Sequence, residues 1–240
     1  IHLPQKELKK LLQQVAFSVA VRGIRHYLNG LLLQIDGKRL AIVATDGHRL
    51  AYTETHLEQE LPKQDIILPR KTVLELLRLL SAQDEAMIEL AIASNQARFR
   101  LGQLEFISKL VEGKFPDYNR VIPQNHSHTL VVSRTALQAS LQRTAIMMSD
   151  KFKGVRLNLE PGLLRVSSTN NEQEEAIDEL DVDYSGAVIE IGFNVTYLQE
   201  VLANNHQEMV SFALQDGNSS SLVTIPGVDG FKYVVMPMRI

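Results

Sequence analysis

The sequence predicts an α+β fold of two similar domains, each containing two copies of a helix followed by antiparallel strands. Three observations support this prediction. A short helical pattern occurs four times along the 240 residues. Runs that alternate apolar and polar residues follow each copy and are separated by turn residues, which is typical of antiparallel strands. A polar segment without periodicity, residues 123–128, divides the four copies into two pairs.

The four helical patterns start at equivalent positions that are separated by 65, 64 and 61 residues: Pro4, Pro69, Ser133 and Asn194. Proline suits the first position of a helix, whereas serine and asparagine suit the N-cap, where the side-chain oxygen accepts a backbone N–H. In the first copy Leu8, Leu11 and Leu12 form an i, i+3, i+4 stripe, and the equivalent positions of the other copies are mostly apolar. We therefore predict four helices that pack on sheets through one apolar face.

The alternating runs between the helices predict the strands. In the first copy they cover residues 27–34, 40–45 and 49–55, with turns at Asp36-Gly37 and Asp46-Gly47. The later copies contribute residues 87–93, 97–101, 104–110, 155–159, 163–168, 174–182, 210–214, 220–225 and 233–238.

Pairing the four copies predicts one domain at residues 1–124 and a second at residues 125–240. The alternative is a single α+β domain whose helices are similar by chance. The chain starts at Ile1 rather than Met, so we expect a fragment or a processed product.

The composition excludes several classes of protein. No apolar run approaches the roughly 20 residues of a membrane span. The absence of Cys excludes disulfides, thiolate chemistry and Cys-ligated zinc, and it fits a cytoplasmic protein. The formal net charge of −3 argues against attachment to nucleic acid by global positive charge, but it leaves room for a local basic surface.

Basic side chains are predicted on the helix faces opposite the apolar stripes: Lys6, Lys9, Lys10, Arg70, Lys71 and Arg134. Such faces are commonly only solvated surface. The other interpretation is that equivalent helices contact the phosphates of nucleic acid, without reading its base sequence. A DNA-binding module that acts through these faces alone is therefore one candidate function.

No catalytic motif was found. Asp46 and His48 share one turn, and His126 and His128 have an H-x-H spacing, but neither pair gains a clear third metal ligand nearby. Phosphate-binding glycine loops and nucleophile elbows are absent, and Ser133 is better explained as a helix cap. We predict a protein that is not an enzyme and that needs no cofactor or metal. A hydrolase or metal enzyme using Asp46 and His48 is the minor alternative.

Several short segments resemble the bacterial DNA sliding clamps, the β subunit of DNA polymerase III. They occur in the order of the family and span nearly the whole chain: Tyr27-Leu28-Asn29-Gly30, Thr45-Asp46-Gly47-His48-Arg49-Leu50, Ser108-Lys109-Leu110-Val111, Phe115-Pro116-Asp117-Tyr118, Lys151-Phe152-Lys153-Gly154-Val155-Arg156, Ile191-Gly192-Phe193-Asn194-Val195 and Tyr233-Val234-Val235-Met236-Pro237-Met238-Arg239.

The resemblance implies a replication processivity factor that tethers DNA polymerase to DNA. A full subunit of the family has three DNA-clamp domains, and two subunits close head-to-tail into a homodimeric ring around DNA. Residues 1–124 and 125–240 correspond to the second and third domains, so we expect the first domain to be missing and this chain to be monomeric. The implied partners are DNA, replicative and translesion polymerases, the clamp loader and repair proteins. The implied location is the cytoplasm, at the nucleoid.

The resemblance also implies a groove that docks short linear peptides, on the third domain at its border with the second. Its matching positions are Leu28, Thr45, Gly47, His48, Arg49, Leu50, Pro116, Arg120, Val121, Phe152, Asn194, Tyr197, Ser220, Val234, Val235, Met236, Pro237, Met238 and Arg239. The chemistry suits this role, since methionine adapts its shape to different ligands and the arginines supply donors at a polar rim.

Two further features come from the same resemblance. A loop with Arg22, Arg25, His26 and Tyr27 matches a DNA-contacting region, although His26 stands where a second tyrosine is common, so stacking on bases is expected from Tyr27 alone. Ile146 and Met147 match apolar positions at the ring interface, and we expect them to be exposed when no partner domain covers them.

Overall fold

A computed structural model describes residues 1–240. The chain divides into two compact units, residues 1–118 and residues 119–240, and each is described by itself. Each unit contains two helices and antiparallel strands, as the fourfold pattern predicted, and the strands of each unit form two sheets. The division at 124/125 stays a prediction.

The first unit runs through β1 (His2–Pro4), α1 (Gln5–Val15), β2 (Gly30–Thr45), β3 (Arg49–Pro69), α2 (Arg70–Leu79), β4 (Met87–Ile92), β5 (Gln96–Leu101) and β6 (Leu104–Lys109). One sheet has the order β1-β4-β5-β6. The other is a long hairpin in which β2 pairs with β3 from Gly30 opposite Pro69 to Thr45 opposite Leu50. Both helices pack on this hairpin.

The second unit runs through β7 (His128–Ser133), α3 (Arg134–Ala145), β8 (Gly154–Glu160), β9 (Leu163–Thr169), β10 (Glu175–Asp181), β11 (Ile189–Asn194), α4 (Val195–Ala203), β12 (Met209–Leu214), β13 (Ser221–Thr224) and β14 (Lys232–Val235). One sheet has the order β10-β9-β8-β11, and the other has the order β14-β13-β12-β7. Helix α3 packs on strands of both sheets, and α4 packs on α3 and β11.

The predicted helix caps are confirmed in the second unit and need correction in the first. The Ser133 hydroxyl accepts from Ala136 N at 3.3 Å, and Asn194 Oδ1 accepts from Thr196 N at 2.9 Å. Pro4 and Pro69 stand at the N-cap, one residue before the first helical position that was predicted for them. Their extended backbone ends a strand and begins a helix at the same residue.

Three strand predictions for the first unit were wrong. Residues 26–28 form a short 3₁₀ helix, so β2 begins at Gly30 rather than at residue 27. Asp36-Gly37 is not a turn between two strands, because β2 continues through it as a bulge in which Gly37 has a φ of 63°. Strand β3 does not end near residue 55 but continues to Pro69. The predicted turn at Asp46-Gly47 is confirmed as the turn between β2 and β3.

The apolar stripes form the cores, as predicted. Leu8, Leu11 and Leu12 of α1 are buried in the first unit. In the second unit Phe193 and Phe212 are buried from strands of different sheets. None of the four helices is long and apolar enough to cross a membrane.

Helix α2 offers a matched test of this packing. Leu76 is 0% exposed, whereas Leu74, two residues earlier on the same helix, is 46% exposed. Leu76→Ala is expected to lower the free energy of unfolding by about 2–5 kcal/mol, because it removes buried methyl groups and leaves a cavity. Leu74→Ala is expected to lower it by less than about 1 kcal/mol. Denaturant unfolding measures both, and equal losses would contradict this assignment of the buried face.

Candidate functional site

The last five residues, 236–240, lie outside any strand and are called the tail below. The predicted strand 233–238 was therefore too long, since β14 ends at Val235. Pro237 has no N–H to donate to a sheet, which suits the end of pairing. Met236 is 47% exposed and Met238 is 38% exposed, so two flexible apolar side chains stand open to solvent.

The tail forms one wall of a depression of about 680 Å³ in the second unit. The lining combines all five tail residues with residues of β8, β11 and the loop before β13: Arg156, Glu190, Ile191, Gly192, Gly217, Asn218, Ser220, Met236, Pro237, Met238, Arg239 and Ile240. Five of these were predicted as groove residues: Ser220, Met236, Pro237, Met238 and Arg239. The structure thus brings together the tail and one residue of the β12–β13 loop.

Strand β14 anchors the start of the tail. Tyr233, Val234 and Val235 are buried, and the Tyr233 hydroxyl donates to the Tyr197 carbonyl oxygen at 2.9 Å. Val234 and Val235 were predicted as groove residues, but their side chains belong to the core. They anchor the strand that leads into the tail, and they offer no exposed apolar surface to a ligand.

The other predicted groove residues of the second unit have different surroundings. Val121 and Phe152 are large apolar side chains that are each 45% exposed, and Arg120 is exposed as well. Asn194 Oδ1 is occupied as the cap of α4. Tyr197 lies on α4, where its backbone oxygen accepts from Tyr233. None of these five residues lines the depression beside the tail.

In the first unit five predicted residues form the turn between β2 and β3: Thr45, Gly47, His48, Arg49 and Leu50. Asp46 Oδ1 accepts from His48 N at 2.9 Å and from Arg49 N at 3.1 Å, so the carboxylate closes the turn. The Thr45 hydroxyl donates to the Arg49 carbonyl oxygen at 2.7 Å. Gly47 has a φ of 92°, a conformation that glycine adopts without strain. His48 is exposed at the tip.

Arg49 was predicted as a donor at the rim of the groove, and the structure buries it. Its Nε donates to Asp46 Oδ2 at 3.1 Å, and its Nη2 donates to the Phe17 carbonyl oxygen at 2.8 Å. The guanidinium also lies 5.5 Å from the centroid of the Phe17 ring, within the range of a cation–π contact. Arg49 therefore ties the turn to the segment after α1. Leu28 and Leu50 are also buried, whereas Pro116 is exposed.

The residues predicted to face DNA divide into exposed and engaged side chains. Lys10, Arg22, Arg25, His26 and Lys71 are exposed, and Tyr27 and Arg70 are half-buried. The three engaged side chains bind a carboxylate or backbone oxygens: Lys6 pairs with Asp84 at 2.5 Å, Lys9 donates to the Leu80 oxygen, and Arg134 donates to the Gln207 and Leu202 oxygens.

The Lys6–Asp84 pair changes the titration of both groups. The hydrogen bond between them, with their mutual attraction, raises the pKa of the Lys6 amine and lowers the pKa of the Asp84 carboxyl. Both side chains are open to solvent, so the pair contributes little to stability. Its effect is local, because it partly neutralises one of the charges on α1.

Neither the residues predicted for the ring interface nor any histidine lines the depression beside the tail. Ile146, at the end of α3, is 79% exposed and Met147 is half-buried. No group of three or more His, Asp or Glu side chains is arranged to hold a metal ion. His126 Nε2 lies 2.7 Å from the Ser220 oxygen, a contact that ties down the start of the second unit.

Sequence reasoning missed the residues on which the tail rests, among them Gly154, Arg156, Glu190 and Gly192. A signal for them was present, because glycine inside a strand often marks a close approach of another backbone. Gly154 begins β8 and Gly192 lies inside β11. Nothing in the sequence, however, indicates which segment approaches them.

Comparisons with known proteins match the whole chain. The family model described as "DNA polymerase III beta subunit, central domain" matches residues 2–117, and the one described as "DNA polymerase III beta subunit, C-terminal domain" matches residues 119–239. A beta sliding clamp of Proteus mirabilis is 45% identical over 238 residues, which are 99% of this chain. The chain spans 65% of the length of that relative.

Solved structures give the same match. The DNA polymerase III subunit beta of Pseudomonas aeruginosa has a TM-score of 0.97 at 42% identity, and the alignment covers 100% of this chain and 66% of that chain. The C. crescentus beta sliding clamp has a TM-score of 0.93 at 35% identity, with the same coverage of both chains. That structure holds a polyethylene glycol at a region proposed to tether beta motifs.

Arg49 gives a test of the structural role that its buried contacts indicate. Arg49→Ala is expected to lower the free energy of unfolding by about 3–5 kcal/mol, because it leaves the Asp46 carboxylate without its partner in a mostly buried site. Arg49→Lys is expected to recover only part of the loss, since one ammonium cannot reproduce the planar fork. Arg98→Ala, at an exposed position of β5, should change stability by no more than about 0.5 kcal/mol. A loss for Arg49→Ala no larger than this control in denaturant unfolding would show that the buried contacts do not matter.

Proposed function

The chain belongs to the DNA polymerase III beta subunit family, the bacterial sliding clamps, and on that premise we propose that the protein is a replication processivity factor. Its proposed action is mechanical rather than catalytic: a clamp on DNA keeps the polymerase at high effective concentration beside the primer end. For the whole protein we propose the homodimeric ring of the family, with Ile146 and Met147 at its interface.

The proposed docking of partners rests on one observation in the second unit. Four of the predicted groove residues carry large apolar side chains that are more than a third exposed: Val121, Phe152, Met236 and Met238. Apolar side chains left in water favour an interaction partner that removes them from it. Methionine adds a flexible, polarizable surface that adjusts to ligands of different shape.

The chemistry of the tail favours a short peptide as the ligand. Met236 and Met238 alternate with Pro237 and Arg239, so apolar side chains and a cationic group lie within four residues. A peptide with leucine and phenylalanine anchors would bury the methionines, and its backbone and acidic or amide groups would use the polar rim. The tethering region proposed for the C. crescentus relative supports this assignment by analogy. The proposed ligands are peptide segments of polymerases, the clamp loader and repair proteins.

The proposed contact with DNA is weak and independent of base sequence. The formal net charge is −3, and α4 contains no Lys or Arg. Several of the basic side chains predicted to face DNA are engaged within the protein, as described above. A weakly attractive surface suits a clamp, because topology keeps a closed ring on DNA and tight phosphate contacts would slow its sliding. The first-unit residues assigned to the peptide groove remain a prediction.

Peptide docking is tested by titrating a peptide with a Gln-x-x-Leu-Phe motif into the chain and into the double variant Met236→Ala, Arg239→Ala. The variant is expected to bind at least roughly tenfold more weakly, since it removes an apolar anchor and a rim donor together. Calorimetric titration measures the dissociation constants.

The matched control for the peptide titration is Met209→Ala, which truncates a methionine that is 37% exposed on β12. This control should bind the peptide as the original chain does. Equal affinity in the tail variant and the control would remove the tail from the docking site.

The DNA-facing assignment of α1 is tested by Asp84→Asn. This change releases Lys6 from its ion pair, so binding to linear duplex at low salt should strengthen, and the slope of log K against log salt should steepen by up to about 0.9 for one new phosphate contact. Asp36→Asn removes the same charge from the exposed bulge of β2 and is the control. Fluorescence anisotropy across a salt series measures both. Identical slopes for the two variants would contradict a DNA-facing role for Lys6.

A further inference from the structure

We infer that Gly154, Gly192 and Arg156 are positioning residues that form a seat for the tail and so hold Met236 and Met238 in place along the depression. The seat itself is independent of the protein's activity. Its consequence for peptide binding rests on the proposed function.

The seat lies on one face of the β8–β11 pair. Gly192 stands opposite Arg156, and Asn194 stands opposite Gly154. Because side chains alternate along a strand, these positions share a face, while the neighbouring Val155 belongs to the buried core. The tail crosses this face, and Met238 N donates to the Gly192 carbonyl oxygen at 2.7 Å.

The two glycines supply the space that the tail occupies. A Cβ atom at residue 192 would lie 2.4 Å from the Met238 carbonyl oxygen and 2.5 Å from Ile240 Cγ1. A Cβ atom at residue 154 would lie 2.4 Å from Ile240 Cγ2. Neither glycine has a positive φ, so both adopt backbone that other residues could adopt. What excludes a side chain at these positions is the contact with the tail.

Arg156 closes the seat at its far end. Its Nη2 donates to the Ile240 carbonyl oxygen at 2.9 Å, and its Nε lies 3.1 Å from Glu190 Oε1. Glu190 therefore orients the guanidinium, and the planar fork of arginine makes both contacts at once. The tail is held by one main-chain hydrogen bond near its middle, one side-chain hydrogen bond at its end, and the packing of Ile240 on glycine.

This arrangement explains how a segment without strand pairing can act as a wall. A tail free in solution would have to be ordered each time a ligand bound, and that ordering would lower the affinity. The seat fixes the backbone at Met238 and Ile240, so the methionine side chains keep their freedom to adapt while the chain that carries them stays in place.

The seat is tested first without any ligand, by measuring the amide hydrogen exchange of Met238 in the 240-residue chain. Gly192→Ala is expected to speed this exchange roughly tenfold or more, because the methyl group meets a backbone oxygen and the tail must lift. Arg156→Ala, a change at a partly exposed side chain, should speed exchange with no change in the thermal midpoint. Asn158→Ala, on the same face of β8, is the control and should leave exchange unchanged.

A compensating change gives a sharper test. In Gly154→Ala the close contact is with Ile240 Cγ2, and Ile240 Cβ is 3.7 Å away, an ordinary contact. The Met238 amide should therefore exchange no faster in the double variant Gly154→Ala, Ile240→Ala than in Ile240→Ala alone. The same second change should not rescue Gly192→Ala, because the Met238 oxygen belongs to the backbone. Unchanged exchange at Met238 in both Gly192→Ala and Arg156→Ala would overturn the seat.

Peptide titration of the same variants separates the seat from the proposed function. If the unaltered chain binds the peptide and the variants with faster exchange bind it at least several-fold more weakly, the positioning role is supported. If those variants bind as tightly as the unaltered chain, the positioning role is overturned although the tail has moved. If the unaltered chain does not bind the peptide, the proposed docking fails. The hydrogen-exchange results still show whether the glycines and Arg156 hold the tail in place.

Discussion

Each helix of this protein is held in place by an apolar stripe that is removed from water, and the rest of each unit depends on that burial. Leu12 and Leu76 are fully buried in the first unit, and Leu137 and Leu198 are fully buried in the second. The hydrophobic effect secures only one face of each helix. The opposite faces, and the exposed face of the β8–β11 pair, are left free to carry charges and glycines whose identity the core does not require.

This constraint explains which parts of the fold were predictable from sequence. Helix starts are local, so the side chains of Ser133 and Asn194 identified their caps correctly. The hairpin of β2 and β3 is not local, because its length depends on pairing across as many as 39 residues, from Gly30 to Pro69. Asp36-Gly37 has the composition of a turn, but the partner strand continues past it, and the residues are accommodated as a bulge. Pairing overrode the local preference.

The residues of the candidate site also differ in whether the sequence could predict their role. The tail was identified through the family resemblance, because Met236-Pro237-Met238-Arg239 read alone is only the end of an apolar strand. The burial of Arg49 could not be foreseen, since its backbone partner Phe17 lies 32 residues earlier in the sequence. A motif residue that looks like a ligand donor can thus be a structural tie. Gly192 is the opposite case, a residue without a side chain that matters because it leaves space for the Met238 backbone.

Strand β14 and the tail that follows it differ in how they are held, and the difference determines what each must break in order to open. Unfolding β14 would break its ladder with β13 and expose Tyr233, so that segment opens only with its sheet. The tail can leave the surface by breaking the Met238–Gly192 hydrogen bond and the Arg156 contact, without disturbing the ladder. Local opening of this kind has a far lower free energy than unfolding of a core. The second unit therefore combines a body that opens only with its sheet and a surface segment held by two hydrogen bonds, which can lift without loss of the fold.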